Sequence, residues 1–206
     1  MTLRKQAAVA LPFVAGSAGI LIPIVAFLGI GLGLQAASWF SWIADAVSDL
    51  GISSVSAGFF NNGMIYAGVL MFVFAFGIYR VVSRKMGVCL GVASGALIGI
   101  GLVPETMFVP HWVCSGCFFV SLAGCFLFCS LDSVVSPLLQ RSGRSLTVLA
   151  FVSGGLIIVF PGVAIPELLL MVPGFFWCAG VGVGALILPA LAQKKTRKYN
   201  TPAMTG

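Results

Sequence analysis

The chain has 206 residues, of which 60% are apolar and only 8% are charged, and its formal net charge is +6. About a quarter of the residues of a soluble domain are charged, so this composition excludes an ordinary soluble protein and indicates an integral membrane protein. The basic residues are spread over short connections and one tail, so a nucleic-acid partner is not expected. No strand precedes Gly29, Gly31 and Gly33 and no helix start follows them, so no nucleotide cofactor is expected either.

Six segments are long and apolar enough to cross a bilayer, which takes roughly 20 mostly apolar residues. They are 11–34, 59–82, 87–103, 111–131, 146–165 and 168–192. The sequence therefore predicts an all-α membrane protein, with one domain of six transmembrane helices over residues 1–192. A basic tail, 193–206, is expected to be disordered. The first segment is too long for a signal peptide and is expected to remain as a span.

The charges divide between the two sides of this predicted bundle. One side has all the basic residues, namely Arg4, Lys5, Arg80, Arg84, Lys85, Arg141, Arg144, Lys194, Lys195, Arg197 and Lys198. The other side has four of the five acids and the single histidine, namely Asp45, Asp49, Glu105, Glu167 and His111. The positive-inside rule makes the basic side cytoplasmic. A multi-pass protein of the cell membrane with both termini in the cytoplasm is predicted.

The long connection between the first two spans, 35–58, has an amphipathic pattern. Its apolar residues recur at helical spacing from Trp39 to Leu50, whereas serines and aspartates occupy the opposite face. This pattern predicts an α-helix lying in the outer membrane interface, with its tryptophans at headgroup depth. Gly51 is expected to end that helix.

Glycines and prolines mark further features of the spans. In the third span, glycines recur every four residues, at Gly87, Gly91, Gly95 and Gly99. Such spacing favours close helix contact, so this helix is predicted to lie at the centre of the bundle. Three prolines, Pro23, Pro161 and Pro173, are predicted to kink their helices.

A short sequence echo relates two hairpins of the chain. Val103-Pro104-Glu105 resembles Ile165-Pro166-Glu167, and a Val-Pro pair and a tryptophan follow each. Such an echo is typical of a duplication, here of the last four helices. Both Pro-Glu pairs would then lie at the outer surface.

The polar residues at the outer helix ends are the candidates for function, because these ends converge in a compact bundle. The candidate catalytic residues are Asp49, Glu105 and His111, and the candidate binding residues are Ser48, Asn61, Asn62, Trp39, Trp42 and Trp112. Carboxylates beside a histidine could divide acid and base roles, or bind a divalent cation. Asp49 is expected to lie at an unfavourable helix end, which favours a functional role. Asp45 and Glu167 are expected to be solvated, and the alternative is that all these acids only solvate loops and cap helices.

Cys114 and Cys117 follow His111 by three and six residues, so a thiol site on one helix face is conceivable. Four further cysteines lie inside apolar spans, where a thiol acts as a small hydrophobe, and this abundance favours a structural role for the pair.

The pattern Ser48-Asp49-Leu50-Gly51, then Asn61 or Asn62 with Gly63, then Pro104-Glu105 and His111, resembles an uncharacterised family. That family contains six-span archaeal and bacterial membrane proteins and is a domain of unknown function of the nine-nine-eight type. The resemblance implies a six-span fold and no established reaction. More remotely, the serine-aspartate and proline-glutamate signatures are similar to those of the Frag, Dram and Sfk family. Some members of that family are linked to lipid-anchor remodelling.

Lipid hydrolases of the alkaline ceramidase type offer another comparison. Those enzymes hold zinc with several histidines, so the single histidine here excludes a three-histidine zinc site within one subunit. A bound cation would need mainly carboxylate ligands, which suits magnesium, calcium or manganese.

Three functions compete on this basis. The first is an outward-facing polar site that binds or modifies a lipid headgroup or another amphiphile, with membrane lipids as partners. The second is a non-catalytic scaffold that forms a homo-oligomer or binds another membrane protein. The third is a transporter of a small neutral solute. Ion-coupled transport is disfavoured because no ionisable residue lies near the middle of a predicted span.

Overall fold

The computed structural model describes the backbone of residues 3–199 and the side chains of residues 10–186. It contains six α-helices: α1 (Leu3–Ala36), α2 (Ala57–Val81), α3 (Arg84–Leu102), α4 (Phe108–Leu131), α5 (Pro137–Leu156) and α6 (Ala164–Tyr199). A short 3₁₀ helix, Val47–Gly51, lies between α1 and α2. Residues 3–199 contain no β-strand, so the predicted all-α class is confirmed.

Five of the helices are long and apolar enough to cross a membrane: α1, α2, α3, α4 and α6. The chain is therefore a multi-pass helical membrane protein. The fifth helix, α5, has Arg141 and Arg144 in its first turns and is not among the five. Its 20 residues give a length of about 30 Å.

The helices form a closed ring. Each packs against its neighbours in the sequence, and α6 packs against α1. From α2 to α6, each helix is joined to the next by a short connection, so successive helices run in opposite directions. We call the end formed by residues 37–56, 103–107 and 157–163 the acidic end, and the opposite end the basic end. The interior is filled by large side chains, among them Ile22, Met64, Met71, Phe74, Leu97, Phe118, Leu122, Phe126 and Phe175.

Glycines bring the backbones of α1 and two neighbouring helices into direct contact. A Cβ atom on Gly29 would lie 2.8 Å from the Cα atom of Gly63 in α2, and one on Gly16 would lie 2.9 Å from the carbonyl oxygen of Gly182 in α6. Neither neighbour is a flexible side chain that could move aside. The closeness of α1 to both helices therefore depends on these glycines.

The prediction of a glycine groove along α3 is wrong for the middle of the helix, where no other helix approaches the glycines. Added Cβ atoms on Gly91 and Gly95 would meet nothing within 4 Å, whereas Gly87 lies against Tyr79 of α2 and Gly99 against Cys114 of α4. A helix turns every 3.6 residues, so a four-residue repeat drifts by about 40° per step and does not stay on one face. Nor is α3 central, since it is one of six helices in the ring.

The fifth helix begins nine residues earlier than predicted, because its start signal is Ser136-Pro137. The Ser136 hydroxyl accepts a hydrogen bond from the backbone N–H of Leu139 at 3.3 Å, and proline occupies the first turn. The helix ends at Leu156, and Pro161 lies in the connection that follows. Pro161 therefore kinks no helix, whereas Pro23 and Pro173 do lie inside α1 and α6.

The predicted continuous helix from Trp39 to Leu50 is also wrong. Turns occupy residues 38–39 and 42–44, and the 3₁₀ helix begins at Val47. The Asp45 carboxylate accepts a hydrogen bond from the backbone N–H of Ser41, and the Asp49 carboxylate accepts one from that of Ala46, each at 2.7 Å. Side-chain bonds of this kind favour turns over a regular helix. Gly51 is the last residue of the 3₁₀ helix.

The predicted disordered tail begins within α6, whose backbone continues through the basic residues 194–198 to Tyr199. Residues 200–206 of that tail lie outside the described residues.

Candidate functional site

Three hydrogen bonds at the acidic end hold the 3₁₀ helix and the residues just before it against the start of α6 and the connection that precedes it. The N–H of Gly162 donates to the carbonyl of Ile43 at 2.9 Å, and that of Ala164 donates to the carbonyl of Asp45 at 3.0 Å. The N–H of Val47 donates to the Glu167 carboxylate at 2.8 Å. These bonds fix the position of the residues that follow Val47.

Glu105, in the connection between α3 and α4, meets the same 3₁₀ helix from the other side. The hydroxyl of Ser48 donates to the Glu105 carboxylate at 2.8 Å. Asp49 lies close enough to accept a hydrogen bond from Glu105 when Glu105 is protonated. Burial raises the pKa of Glu105 above its usual 4.5 and the negative charge of Asp49 adds to the shift, whereas the Ser48 hydrogen bond and His111 oppose it. Glu105 and Asp49 thus form a pair of adjacent carboxyl groups.

His111 lies in the first turn of α4 and is only 3% exposed. Its Nδ1 atom lies 2.7 Å from the carbonyl oxygen of Val103. A carbonyl oxygen only accepts, so Nδ1 carries a proton, and in the neutral ring Nε2 is an acceptor. Nε2 is buried and has no hydrogen-bond partner among the side chains and backbone that the structure describes. A buried nitrogen of this kind requires an explanation, because such groups are nearly always satisfied.

These groups surround the polar end of a cavity of about 350 Å³ between α4, α5 and α6. This volume is in the range of small-molecule sites. The polar end contains Ser48, Glu105, His111, Ser115, Ser153 and Glu167. The remaining wall is mainly apolar, with Trp112, Gly116, Phe119, Val120 and Ala123 from α4, and Ala150, Phe151, Gly154 and Ile157 from α5 and the residue after it. The cavity is therefore amphipathic, with its polar groups at one end of a long apolar wall.

Residues 17–184 match a family described as protein of unknown function (DUF998). The chain belongs to this family. The resemblance stated from the short motifs is confirmed, whereas the remote similarity to the Frag, Dram and Sfk family stays a prediction. Comparisons with curated proteins and with solved structures gave no match.

In this DUF998 protein, the three candidate catalytic residues lie near one another, but Asp49 does so for a reason that differs from the predicted one. It lies in the first turn of the 3₁₀ helix, where its carboxylate caps the N–H of Ala46. An acid at this end of a helix is favourable, so the predicted unfavourable position of Asp49 is wrong. The remaining case for Asp49 is its coupling to Glu105.

The six candidate binding residues lie in three different environments. Ser48 and Trp112 line the cavity. Asn61 and Asn62 instead donate to the carbonyls of Gly51 and Gly58. Trp39 and Trp42 are exposed and flank the ring of Phe40.

Glu167 was expected to be solvated, yet it is partly buried, lines the cavity and bonds to Val47. The charges of Glu105 and Asp49 both act on it. The echo of Pro104-Glu105 in Pro166-Glu167 could have pointed to this position. The contributions of Ser153 and of α5 carried no recognisable signal in the sequence.

The thiols and the acids of the described residues form no group of three or more that is arranged to hold a metal ion. Cys117 is exposed on α4, and Cys114 packs against Gly99. What the cavity does offer is the imidazole ring of His111, whose Nε2 atom has no partner among the described groups, together with the Glu105 carboxyl. That pair has the composition of a general base and a general acid.

Proposed function

We propose that this DUF998 protein binds a single-chain amphiphile, with the polar head among Ser48, Glu105, His111 and Glu167 and the chain along α4 and α5. The observation that supports it is the cavity of about 350 Å³, whose polar groups gather at one end. Amphipathic cavities match amphiphiles because apolar surface is buried along the wall while the few polar groups fix the head. Val120 and Phe151 on this wall are 73% and 78% exposed. The wall therefore continues onto the lipid-facing surface, and membrane lipids are the expected source of the ligand.

We further propose that the site faces outward from the cell membrane and that α5 is a sixth crossing, which leaves both termini in the cytoplasm. The described basic residues at helix ends, Arg80, Arg84, Lys85, Arg141 and Arg144, all belong to the basic end of the ring. The positive-inside rule favours a cytoplasmic position for that end. In this arrangement Trp39 and Trp42 lie at the outer membrane interface, as aromatic residues commonly do. Labelling of single cysteines by a membrane-impermeant thiol reagent tests the orientation. We expect Ser54→Cys, at the acidic end, to be labelled from outside the cell, and Ser133→Cys, at the basic end, to be protected.

The binding proposal is tested with a panel of twelve-carbon compounds: dodecylamine, dodecanol, dodecanoate and dodecyl phosphate. Each is radiolabelled and titrated into the protein in phosphatidylcholine nanodiscs, and empty nanodiscs are subtracted. We expect at least one compound to bind saturably with one site per chain.

The decisive variant is Gly154→Leu, which fills the cavity from α5. A Cβ atom at Gly154 meets nothing within 4 Å, so the larger side chain enters free space. Gly155→Leu is the matched control, because Gly155 is equally open and adjacent in sequence but does not line the cavity. We expect Gly154→Leu to weaken binding at least about tenfold, the equivalent of about 1.4 kcal/mol, and Gly155→Leu to leave it unchanged. If no compound binds saturably, or if both variants bind like the wild type, the proposal is wrong and the scaffold hypothesis gains.

A further inference from the structure

The polar end of the cavity contains an excess of hydrogen-bond acceptors. Carboxylates only accept when ionised, and the neutral His111 ring presents Nε2 as an acceptor. Two of the hydroxyls that line the cavity are already used as donors. Ser48 donates to Glu105 at 2.8 Å, and Ser153 donates to the carbonyl oxygen of Pro166 at 2.5 Å. Ser115 retains a hydroxyl that can act either way.

The charges at this end have the same sign. Glu105 and Glu167 line the cavity and Asp49 adjoins Glu105. No lysine or arginine belongs to the lining of this cavity, and the basic side chains described for residues 10–186 all lie towards the basic end. An anionic head would therefore find no basic partner, and each of these carboxyl groups that is ionised would repel it.

Two further features favour a cation. Trp112, the residue after His111, also lines the cavity, and the face of an indole ring attracts ammonium groups. The buried Nε2 atom of His111 lacks a donor, and burying it unpaired is costly. An ammonium group has three N–H donors and a positive charge, so it can compensate the carboxylates and, once a small rotation of the His111 ring turns the enclosed Nε2 towards the cavity, satisfy that atom as well.

On the basis of the proposed function, we infer that the head of the bound amphiphile is a primary ammonium group. Its N–H groups donate to His111 Nε2 and to the carboxylates of Glu105 and Glu167, and its alkyl chain follows the wall formed by α4 and α5. This chemistry occurs in single-chain amines and in the ethanolamine heads of phospholipids. The two sources differ in the phosphate, for which the described lining offers no basic partner.

The compounds of the binding panel have the same chain and differ in the head, so their relative affinities test the inference. We expect dodecylamine to bind at least about tenfold more tightly than dodecanoate or dodecyl phosphate, with dodecanol between them. A lysophosphatidylethanolamine with a twelve-carbon chain is the added arm. If its affinity equals that of dodecylamine, the source is an aminophospholipid, and if it binds weakly, the source is a free amine.

The matched variants are Glu105→Gln and Asp45→Asn. Glutamine keeps an oxygen that can accept the Ser48 hydrogen bond but removes the charge at the cavity. Asp45 lies at the same end of the protein, but its carboxylate bonds to Ser41 of its own loop and does not line the cavity. We expect Glu105→Gln to reduce the preference for dodecylamine over dodecanol at least about fivefold, and Asp45→Asn to leave it unchanged. Retained binding of dodecanol shows that each variant is folded.

The outcomes separate the inference from the proposed function. Saturable binding in which dodecanoate or dodecyl phosphate is preferred, or in which all heads bind equally, overturns the ammonium head and leaves the amphiphile site intact. Equal effects of Glu105→Gln and Asp45→Asn would show a general surface potential and would overturn it too. Absence of saturable binding for every compound overturns the proposed function itself.

Discussion

Replacing His111 by Phe separates the contribution of this residue to stability from its contribution to the cavity. In the folded protein the Nε2 atom is buried without a partner, which costs about 1–3 kcal/mol. The variant removes this cost. It also removes the hydrogen bond between Nδ1 and the carbonyl of Val103, whose net contribution to stability is about 0.5–1.5 kcal/mol. The adjoining cavity gives the larger ring room. The free energy of unfolding should therefore fall by no more than about 1 kcal/mol, and it could rise.

A variant of a satisfied buried group provides the reference. The Ser94 side chain is fully buried and donates to the carbonyl of Gly68 at 2.9 Å. Ser94→Ala loses that bond without compensation, so we expect it to destabilise by about 0.5–1.5 kcal/mol. Both variants are unfolded reversibly with denaturant in the same lipid–detergent mixture, and their free energies are extrapolated to zero denaturant.

The binding assay should show the opposite order. We expect His111→Phe to lose most of the dodecylamine affinity and Ser94→Ala to keep it. A loss of more than about 3 kcal/mol of stability in His111→Phe would refute the reasoning, because a cost of that size requires Nε2 to have a partner in the folded protein.

Two further predictions concern the packing of α1 and the adjacent carboxyl groups of Glu105 and Asp49. Gly29→Ala places a methyl group against the backbone of Gly63, so we expect a loss of about 1–3 kcal/mol. Gly31→Ala, which meets nothing within 4 Å, should be neutral or stabilising, and equal unfolding free energies for the two variants would contradict the contact. The folded state raises the pKa of Glu105 above its usual 4.5, so its contribution to stability is full below pH 4.5 and is lost as the pH rises through the folded pKa. Thermal midpoints between pH 4 and 8 should therefore fall less in Glu105→Gln than in the wild type, and parallel curves would show that Glu105 is not perturbed.

The number and order of the helices could be predicted from the sequence because long apolar segments have few alternatives in a membrane protein. Helix boundaries were less secure where hydropathy competes with local start signals. The apolar run 146–165 predicts the fifth span, but Ser136-Pro137 starts α5 earlier, and the helix therefore includes Arg141 and Arg144. Hydropathy does not detect a capping hydroxyl. The start at Pro137 depends on local chemistry that an average over 20 residues conceals.

Segment 37–56 could not be predicted from its periodicity, because its conformation depends on groups outside it. Helical spacing from Trp39 to Leu50 is present in the sequence, yet Asp45 and Asp49 bond to their own loop. The loop is further fixed by α6 through Gly162 and Ala164, more than 115 residues away in the sequence. Tertiary contacts of this range override a local pattern.

The candidate site was partly predictable for a simpler reason. Charged residues are scarce in this chain, so Glu105 and His111 are conspicuous in the sequence. Because successive helices alternate in direction, residues at the same end of the bundle lie close together. The cavity itself was not predictable, since its wall consists of ordinary apolar residues whose spacing matches that of any lipid-facing helix. Ser153 and Gly154 line the cavity because the end of α5 lies beside α4, which the sequence does not indicate.

The packing of α5 differs between its two ends in a way that suits an amphiphile. Near the basic end, a Cβ atom on Gly143 would lie 2.9 Å from the carbonyl oxygen of Phe126 in α4, and the indole N–H of Trp177 in α6 donates to the Ser142 hydroxyl at 3.1 Å. Near the acidic end, Gly154 meets nothing within 4 Å, and the cavity occupies the space beside it. Ser48, Glu105, His111 and Glu167 come from the 3₁₀ helix, the α3–α4 connection and the first turns of α4 and α6, whereas α5 contributes Ser153 and much of the apolar wall. Head selection and chain accommodation therefore depend on different elements, so substitutions at Gly154 should alter chain-length preference without altering head preference.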